Sequence, residues 1–515
     1  MKKLLPTLIP LLCAIAFALT AWHFLYEENA EVMYFLQQRS FFSDTSEFFS
    51  DCLKKPMGLF VWAGLWLTQF FYHPLQGTII ITTMWVITFF ALKRALRISA
   101  WLSPLLMLPM YYFLAEDMSI GYEIYRMVPE GQLFVPTLQL LFASVVVLII
   151  TSIAGIFFHH DKSITGKMSP VMRWTMGAVL LCGVAYGGWT YVDGNMNRNP
   201  YFRAESRAYL ATEEQDWDKV LNIISETPVE ASREMVILKN IALLNTGRIG
   251  EEMYHYDDKG VLPEYGSDTA KVSMTVTAGP MIYMHHGLTN FAIRWLTESS
   301  VAKGYTFNCL KLLTLCSLVN EEYDVAAKYI DILSHSMYYK EWADRYRPIL
   351  ADHSLLRKTP ELKNIIELHD NVPQETSSDQ GTIEQFLMIF FSTDNNTTSK
   401  YMQDVSMTYA LNSRDIRLFQ YQFNKYATMH VGDDMPIHYQ EAAFLYGHLE
   451  PQTMDISGMP FDEERIVKRY AAFNEKVKQL MQSGTTEAML PNALKGEFGD
   501  TFWWAYYFSR GGKMY

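Results

Sequence analysis

The feature that most constrains this chain is the change of composition at residue 193. Trp174–Val192 is an apolar run of 19 residues, and Asp193-Gly-Asn-Met-Asn-Arg-Asn-Pro200 follows it directly. A helix needs about 20 apolar residues to cross the roughly 30 Å hydrocarbon layer of a bilayer. Before residue 193 such runs recur; after it no stretch is apolar for long enough. The spacing therefore predicts an all-α protein: a transmembrane helix bundle over 1–192, then a soluble α-helical domain over 193–515.

Six apolar runs mark the first part, at 4–26, 57–72, 75–92, 98–115, 133–158 and 174–192. The first follows Met1-Lys2-Lys3. It reads as an uncleaved anchor or, because Ala14 to Ala21 is rich in small residues, as a cleaved signal peptide. Its 23 residues and the spans after it favour the anchor. A lipoprotein reading of Cys13 fails, since Leu12 stands where a small residue is needed. The run 57–72 has only 16 residues and ends before Pro74. It either crosses or is re-entrant, so the count is five or six spans. Lys and Arg concentrate at 54–55, 93–97 and 162–173, and such basic connections stay on the cytoplasmic side. Six crossings put both termini outside, against Lys2-Lys3; a re-entrant 57–72 puts the N-terminus inside. Both arrangements leave 193–515 outside the cytoplasm. The expected location is a bacterial inner membrane with an extracytoplasmic domain, and the lipid bilayer is the first expected partner. The spacing Gly183-Val-Ala-Tyr-Gly187 predicts close approach of another helix.

Charge divides unevenly across the boundary. Residues 1–192 hold 12 Lys+Arg against 11 Asp+Glu, whereas the remainder holds 31 against 44. A tail with that acidic excess is expected to be soluble and not to bind nucleic acid. Its apolar residues recur at helical spacing. Trp217, Val220, Leu221 and Ile224 share a face that ends at Pro228, and the next helix stops at Gly247, a predicted left-handed cap. Asn320 is a predicted N-cap for the helix carrying Ala326, Ala327, Ile330 and Leu333. Further faces are Ile416, Phe419, Phe423 and Tyr426, then Tyr439, Ala442 and Leu445, then Ile466, Tyr470, Phe473 and Val477. Paired helices over 216–227 with 233–247, and 305–319 with 321–335, resemble degenerate tetratricopeptide units without a fixed register. Such a solenoid implies protein partners. Polar stretches at 257–273 and 369–382 read as surface loops. The five cysteines have no metal-ligand or disulfide spacing.

No HExxH, phosphate-binding glycine loop, GxSxG or CxxC occurs, and no cofactor or metal site is expected. The adjacent His285-His286 would point to different faces, and His159-His160-Asp161 ends a span. Asn395-Asn396-Thr397-Thr398 contains overlapping sequons. Trp503-Trp504-Ala-Tyr506-Tyr507-Phe508 reads as core packing of a terminal helix rather than an interfacial anchor. The acidic group Glu27, Glu28 and Glu31, just past the first run, is the candidate for chemistry, with Asp117 as companion at the start of a second loop. It resembles polytopic sugar transferases that use lipid-linked donors, where an acidic residue in the first external loop implies a general base. The transferase is the alternative: an acidic group at a membrane edge reads first as a solvated face, and with it the expected function is a membrane scaffold or assembly role in which the helical domain takes protein partners. Glu28-Asn29, then Gln69-Phe70-Phe71-Tyr72 with Pro74 and Gly77, are similar to an uncharacterised bacterial family of multi-pass membrane proteins with helical tails. That resemblance implies no assigned activity.

Overall fold

The computed structural model describes residues 5–119, 135–157, 169–196, 198, 200–256, 278–372, 374 and 399–509, and every regular element among them is helical. The polar loop 257–273, His159-His160-Asp161 and the Asn395 sequons lie outside these residues, as does most of the 369–382 stretch. The chain divides into two compact units. The first comprises 1–199, 298–311 and 328–347; the second comprises 200–297, 312–327 and 348–515. Hydropathy alone divides the chain at 192/193, whereas contacts place two later stretches with the apolar helices.

In the first unit, α1 (Leu5–Trp22) runs into a π-helical turn, His23–Glu27. Ile9, Cys13, Phe17, Ala21 and Phe24 form its buried stripe, at spacings of three and four, while Leu11, Ile15 and Leu19 point outward. Two amphipathic helices follow, α2 (Ala30–Gln38) and α3 (Ser46–Leu53), the second capped by Thr45, whose Oγ1 accepts the Phe48 N–H. Next come α4 (Gly58–Gln69), with a 3-10 turn at Phe70–Tyr72, and α5 (Pro74–Ala95), which Pro74 opens because its missing N–H and fixed φ suit the first helical turn. At 12 residues α4 is about 18 Å long, short of a bilayer core. The run 98–115 is not one helix. Pro104 sits in a 3-10 segment, Ala100–Leu106, and α6 begins only at Met107, running to Ser119. A proline lacks the N–H that an α-helix interior would use. The unit also contains α7 (Val135–Phe157) and α8 (Pro170–Asn195).

Among the described residues three helices are long and apolar enough to cross a membrane: Leu8–Glu27, Pro74–Ala95 and Pro170–Asn195. Thr137–Ile153 is a shorter apolar helix. The glycine pattern on α8 differs from expectation. Among the described residues a Cβ at Gly183 or Gly187 would meet nothing within 4 Å. Gly177 and Gly188 are the close-packed positions instead. Their absent Cβ atoms leave room for Ile9 and Trp101, and for the Tyr111 ring.

In the second unit the sequence faces appear as helices with buried stripes. Trp217–Glu226 is capped by Asp216, and Arg233–Asn245 by Ser232. Gly247 takes φ +68° and closes the latter helix with Arg248 N–H bonding the Leu243 carbonyl at 2.8 Å, the left-handed ending expected there. Asn320 does not cap the next helix, which starts at Tyr323 after Glu321 in a left-handed conformation. Its side chain is drawn aside to Thr289 Oγ1 at 2.5 Å and Asn290 Oδ1 at 2.8 Å. Asp415 caps Ile416–Met429, and Ile437–Leu449 packs against the terminal Phe502–Phe508. Phe502, Trp503 and Trp504 are buried, as core packing requires.

Candidate functional site

The acidic group sits where α1 unwinds. His23 lies between two carboxylates: Nδ1 is 2.7 Å from Glu27 Oε2 and Nε2 is 2.9 Å from Glu28 Oε1. Trp22 Nε1 donates to Glu27 Oε1 at 3.1 Å. The imidazole stacks on Trp189 of α8, with centroids 4.7 Å apart. Arg198, ion-paired with Asp193, approaches Glu28 at 3.8 Å. Asn29 is buried and donates to the Phe24 carbonyl at 2.6 Å. The arrangement ties the end of α1 to the end of α8 by charge and ring contact. Glu31 is exposed in the first turn of α2, a position that favours an acidic side chain by the helix dipole.

Asp117 is not at a loop. It lies inside α6, 2 % exposed, and accepts a hydrogen bond from Thr137 Oγ1 of α7 at 2.9 Å. Glu27 and Glu28 are therefore brought together around one histidine, while Asp117 serves a separate helix pair. The sequence reading missed His23, although its i,i+4 spacing to Glu27 was a legible signal.

The stretch Gln69–Tyr72 proves to be the hub of a buried polar seam. Gln37 Nε2 donates to Gln69 Oε1 at 3.0 Å, and Gln69 Nε2 donates to Ser40 Oγ at 3.1 Å. Tyr339 OH donates to Gln37 Oε1 at 2.6 Å, and the Lys311 ammonium to Gln38 Oε1 at 3.1 Å. The Phe307 N–H reaches the Ser40 carbonyl at 3.0 Å. Tyr72 stacks on Tyr338 at 4.9 Å with the rings 2° from parallel. Phe71 is fully buried, and Gly77 exists as glycine because a Cβ would stand 2.8 Å from that ring. These bonds bind 298–311 and 328–347 into the first unit.

In the second unit the histidine pair is buried and accounted for. His285 meets the Trp217 ring edge-on at 5.8 Å, and His286 Nδ1 donates to the Ile282 carbonyl at 2.8 Å. Desolvation pushes His285 down to about 3 and His286 to about 4, so both are neutral at pH 7. Among the described residues no group of three or more His, Cys, Asp or Glu could hold a metal ion. Asp404 is buried beneath Tyr439, whose OH donates to Oδ1 at 2.9 Å. Burial pushes this carboxyl up to about 6 from an ordinary 3.8. A raised folded-state pKa gives stability that is complete below pH 4 and lost as pH rises through 6. The loss is on the order of 3 kcal/mol. Thermal melts of the chain in detergent between pH 4 and 7.5 should show this decline, and Asp404→Asn should lack it, so that the two curves diverge as pH rises. Parallel curves for the two proteins would mean that Asp404 is ionised throughout.

A family model described as a family of unknown function (DUF6057) matches residues 5–192 and 111–509. No curated protein and no solved structure matches the chain.

Proposed function

Since the chain belongs to the family of unknown function DUF6057, whose match runs through both units, we propose that it is an integral membrane scaffold or assembly protein. Its second unit is a degenerate tetratricopeptide-like array that takes protein partners outside the cytoplasm. The observation that carries this reading is the use made of the polar residues in the first unit. Glu27 and Glu28 hold His23, Asp117 holds Thr137, and the Gln69–Tyr72 stretch holds other parts of the unit together. The pairing of Trp217–Glu226 with Arg233–Asn245 in the second unit supports the repeat reading, and stacked helix pairs offer extended surfaces to partners. Tethering such a surface at a membrane raises its effective concentration there.

A lipid-linked sugar transferase is the second reading, favoured by one observation: a histidine between two carboxylates at the end of an apolar helix can take or give a proton. Four single changes separate the two, Glu27→Gln, Glu28→Gln, Glu31→Gln and Asp117→Asn. For a scaffold, the Glu27, Glu28 and Glu31 variants complement a deletion strain at normal protein level. Asp117→Asn also complements where it accumulates, since the amide still accepts from Thr137. A catalytic base would cost about 10²–10⁴-fold in rate when removed. A variant that accumulates normally yet behaves as a null moves the assignment to the enzyme.

The inner-membrane placement has its own test. Val431 is 84 % exposed in the second unit, so Val431→Cys should react with a membrane-impermeant thiol reagent in intact spheroplasts. Reaction only after lysis would put the second unit in the cytoplasm.

A further inference from the structure

Met337 serves neither the scaffold nor the transferase reading, yet its neighbours hold it at one end of an apolar helix. It is the middle residue of the turn 335–339, between Tyr323–Ser334 and Lys340–Ala351, and this turn belongs to the first unit. Tyr338 OH donates to Gln76 Oε1 of α5 at 3.3 Å, and its ring stacks on Tyr72 at 4.9 Å. The His73 ring meets Tyr338 edge-on at 5.5 Å, and Tyr34 of α2 meets Tyr72 edge-on at 5.6 Å. Tyr339 is buried and bonds Gln37, which fixes the turn from its inner side. Met337 itself is left 47 % exposed.

The level of this turn follows from α5. The 22 residues of that helix rise about 33 Å, close to the roughly 30 Å hydrocarbon layer of a bilayer. Lys93 and Arg94 stand in its last turn, and Pro74, Leu75 and Gln76 in its first. Leu75, Ile79, Thr83, Ile87 and Phe90 are exposed along one face, at spacings of three and four. For a helix that crosses a membrane, this is the face turned to lipid. Tyr34, Tyr72, His73 and Tyr338 thus gather at one end of a membrane-length helix. Tyrosines collect at that depth because the ring is apolar and the hydroxyl is polar. Exposed apolar residues scattered singly are ordinary, but Met337 is one residue from the Tyr338–Gln76 bond, as Leu75 is from its other side. Charges of both signs surround it, since Asp331, His335, Lys340 and Glu341 are all exposed. That mixture matches a zwitterionic headgroup layer and favours no anionic lipid.

We propose that the turn 335–339 is a lipid contact: Met337 enters the boundary between headgroups and acyl chains of a zwitterionic phospholipid surface, beside the head of α5. The proposal rests on the membrane reading of the first unit, and the experiment separates the two. The full chain is placed in phosphatidylcholine nanodiscs, with Cys182, the exposed one of the five cysteines, changed to serine. Single variants Met337→Cys, Leu75→Cys, Ile87→Cys and Val431→Cys carry a nitroxide. Power-saturation EPR compares its collisions with oxygen, which concentrates among acyl chains, and with a water-soluble nickel chelate. Ile87 reports the middle of α5, and Val431 reports bulk water. Met337 should read with Leu75, about 5–10 Å into the boundary. If Ile87→Cys is in lipid and Met337→Cys meets the nickel chelate as freely as Val431→Cys, the contact is overturned while the span stands. A contact that appears only when phosphatidylglycerol is added also overturns it. If Ile87→Cys is itself aqueous, the membrane reading falls and the contact with it. Should labelled Met337→Cys not melt like its parent, the unlabelled chain decides, in nanodiscs that carry a phospholipid with a diazirine high on its acyl chain. Photoadducts at Met337 in the tryptic peptide 329–340 support the contact, and their absence overturns it.

Discussion

Gly188→Ala is expected to lower the melting temperature of the detergent-solubilised chain sharply, while Gly187→Ala, one residue away, leaves it unchanged or slightly raised. A Cβ at 188 would lie 2.1 Å from Tyr111 Cδ2 and 2.3 Å from Cε2. The Tyr111 ring cannot swing aside: it is 1 % exposed and lies 5.4 Å from Phe17. Something in the α1, α6 and α8 packing must therefore move, and overpacking of this kind costs about 1–3 kcal/mol, sometimes more. At 187 a Cβ meets nothing within 4 Å among the described residues. There the exchange keeps only its intrinsic benefit, up to about 1 kcal/mol for alanine over glycine in a helix. Scanning fluorimetry of both variants decides the point. Equal melting temperatures would show that α8 does not approach Tyr111 through Gly188.

The second large effect concerns the polar seam. Gln37 is fully buried, and its amide bonds Gln69 through Nε2 and Tyr339 through Oε1. Gln37→Leu removes both bonds while keeping similar volume. Each buried polar group that loses such a bond costs about 1–3 kcal/mol, so the variant should be less stable by about 2–6 kcal/mol. Tyr339→Phe added to it takes away one of the two stranded groups and should restore part of the loss. The coupling between the two changes is the diagnostic quantity, because residues that share a bond do not add independently. Strict additivity would separate Gln37 from Tyr339 and remove the seam as the link that holds 328–347 in the first unit.

Much of the helical architecture was legible from local signals. Asp216 and Ser232 cap helices where their short polar side chains reach a free N–H, Pro74 opens α5, and Gly247 closes Arg233–Asn245 with a positive φ. Each of these depends on residues within one helical turn. Ile98–Ala115 was misread as a single helix because hydropathy averages over Pro104, which the backbone cannot ignore. Asn320 was misread for the opposite reason: its capping chemistry is real, but Thr289 and Asn290 compete for the same side chain and win.

The candidate site divides in the same way. His23, Glu27 and Glu28 fall within one turn and a half, so their grouping was available to the sequence. The stacking of His23 on Trp189 was not, since 166 positions separate them. Asp117 looked like a loop residue because apolar character ends near it; the structure buries it and brings Thr137 from α7 to it as a donor.

What the amino-acid sequence determined by itself is most of the helices, their apolar stripes, and three of the runs long enough to cross a bilayer. These follow from periodicity and from breakers that act over a few residues. The tertiary structure alone decided which glycines are close-packed, why Gln69 and Tyr72 matter, and to which unit 298–311 and 328–347 belong. Gln38 meets Lys311 across 273 positions and Gln37 meets Tyr339 across 302. A partner that distant leaves no periodic trace beside the residue it satisfies, so the pairing exists only once the chain has folded.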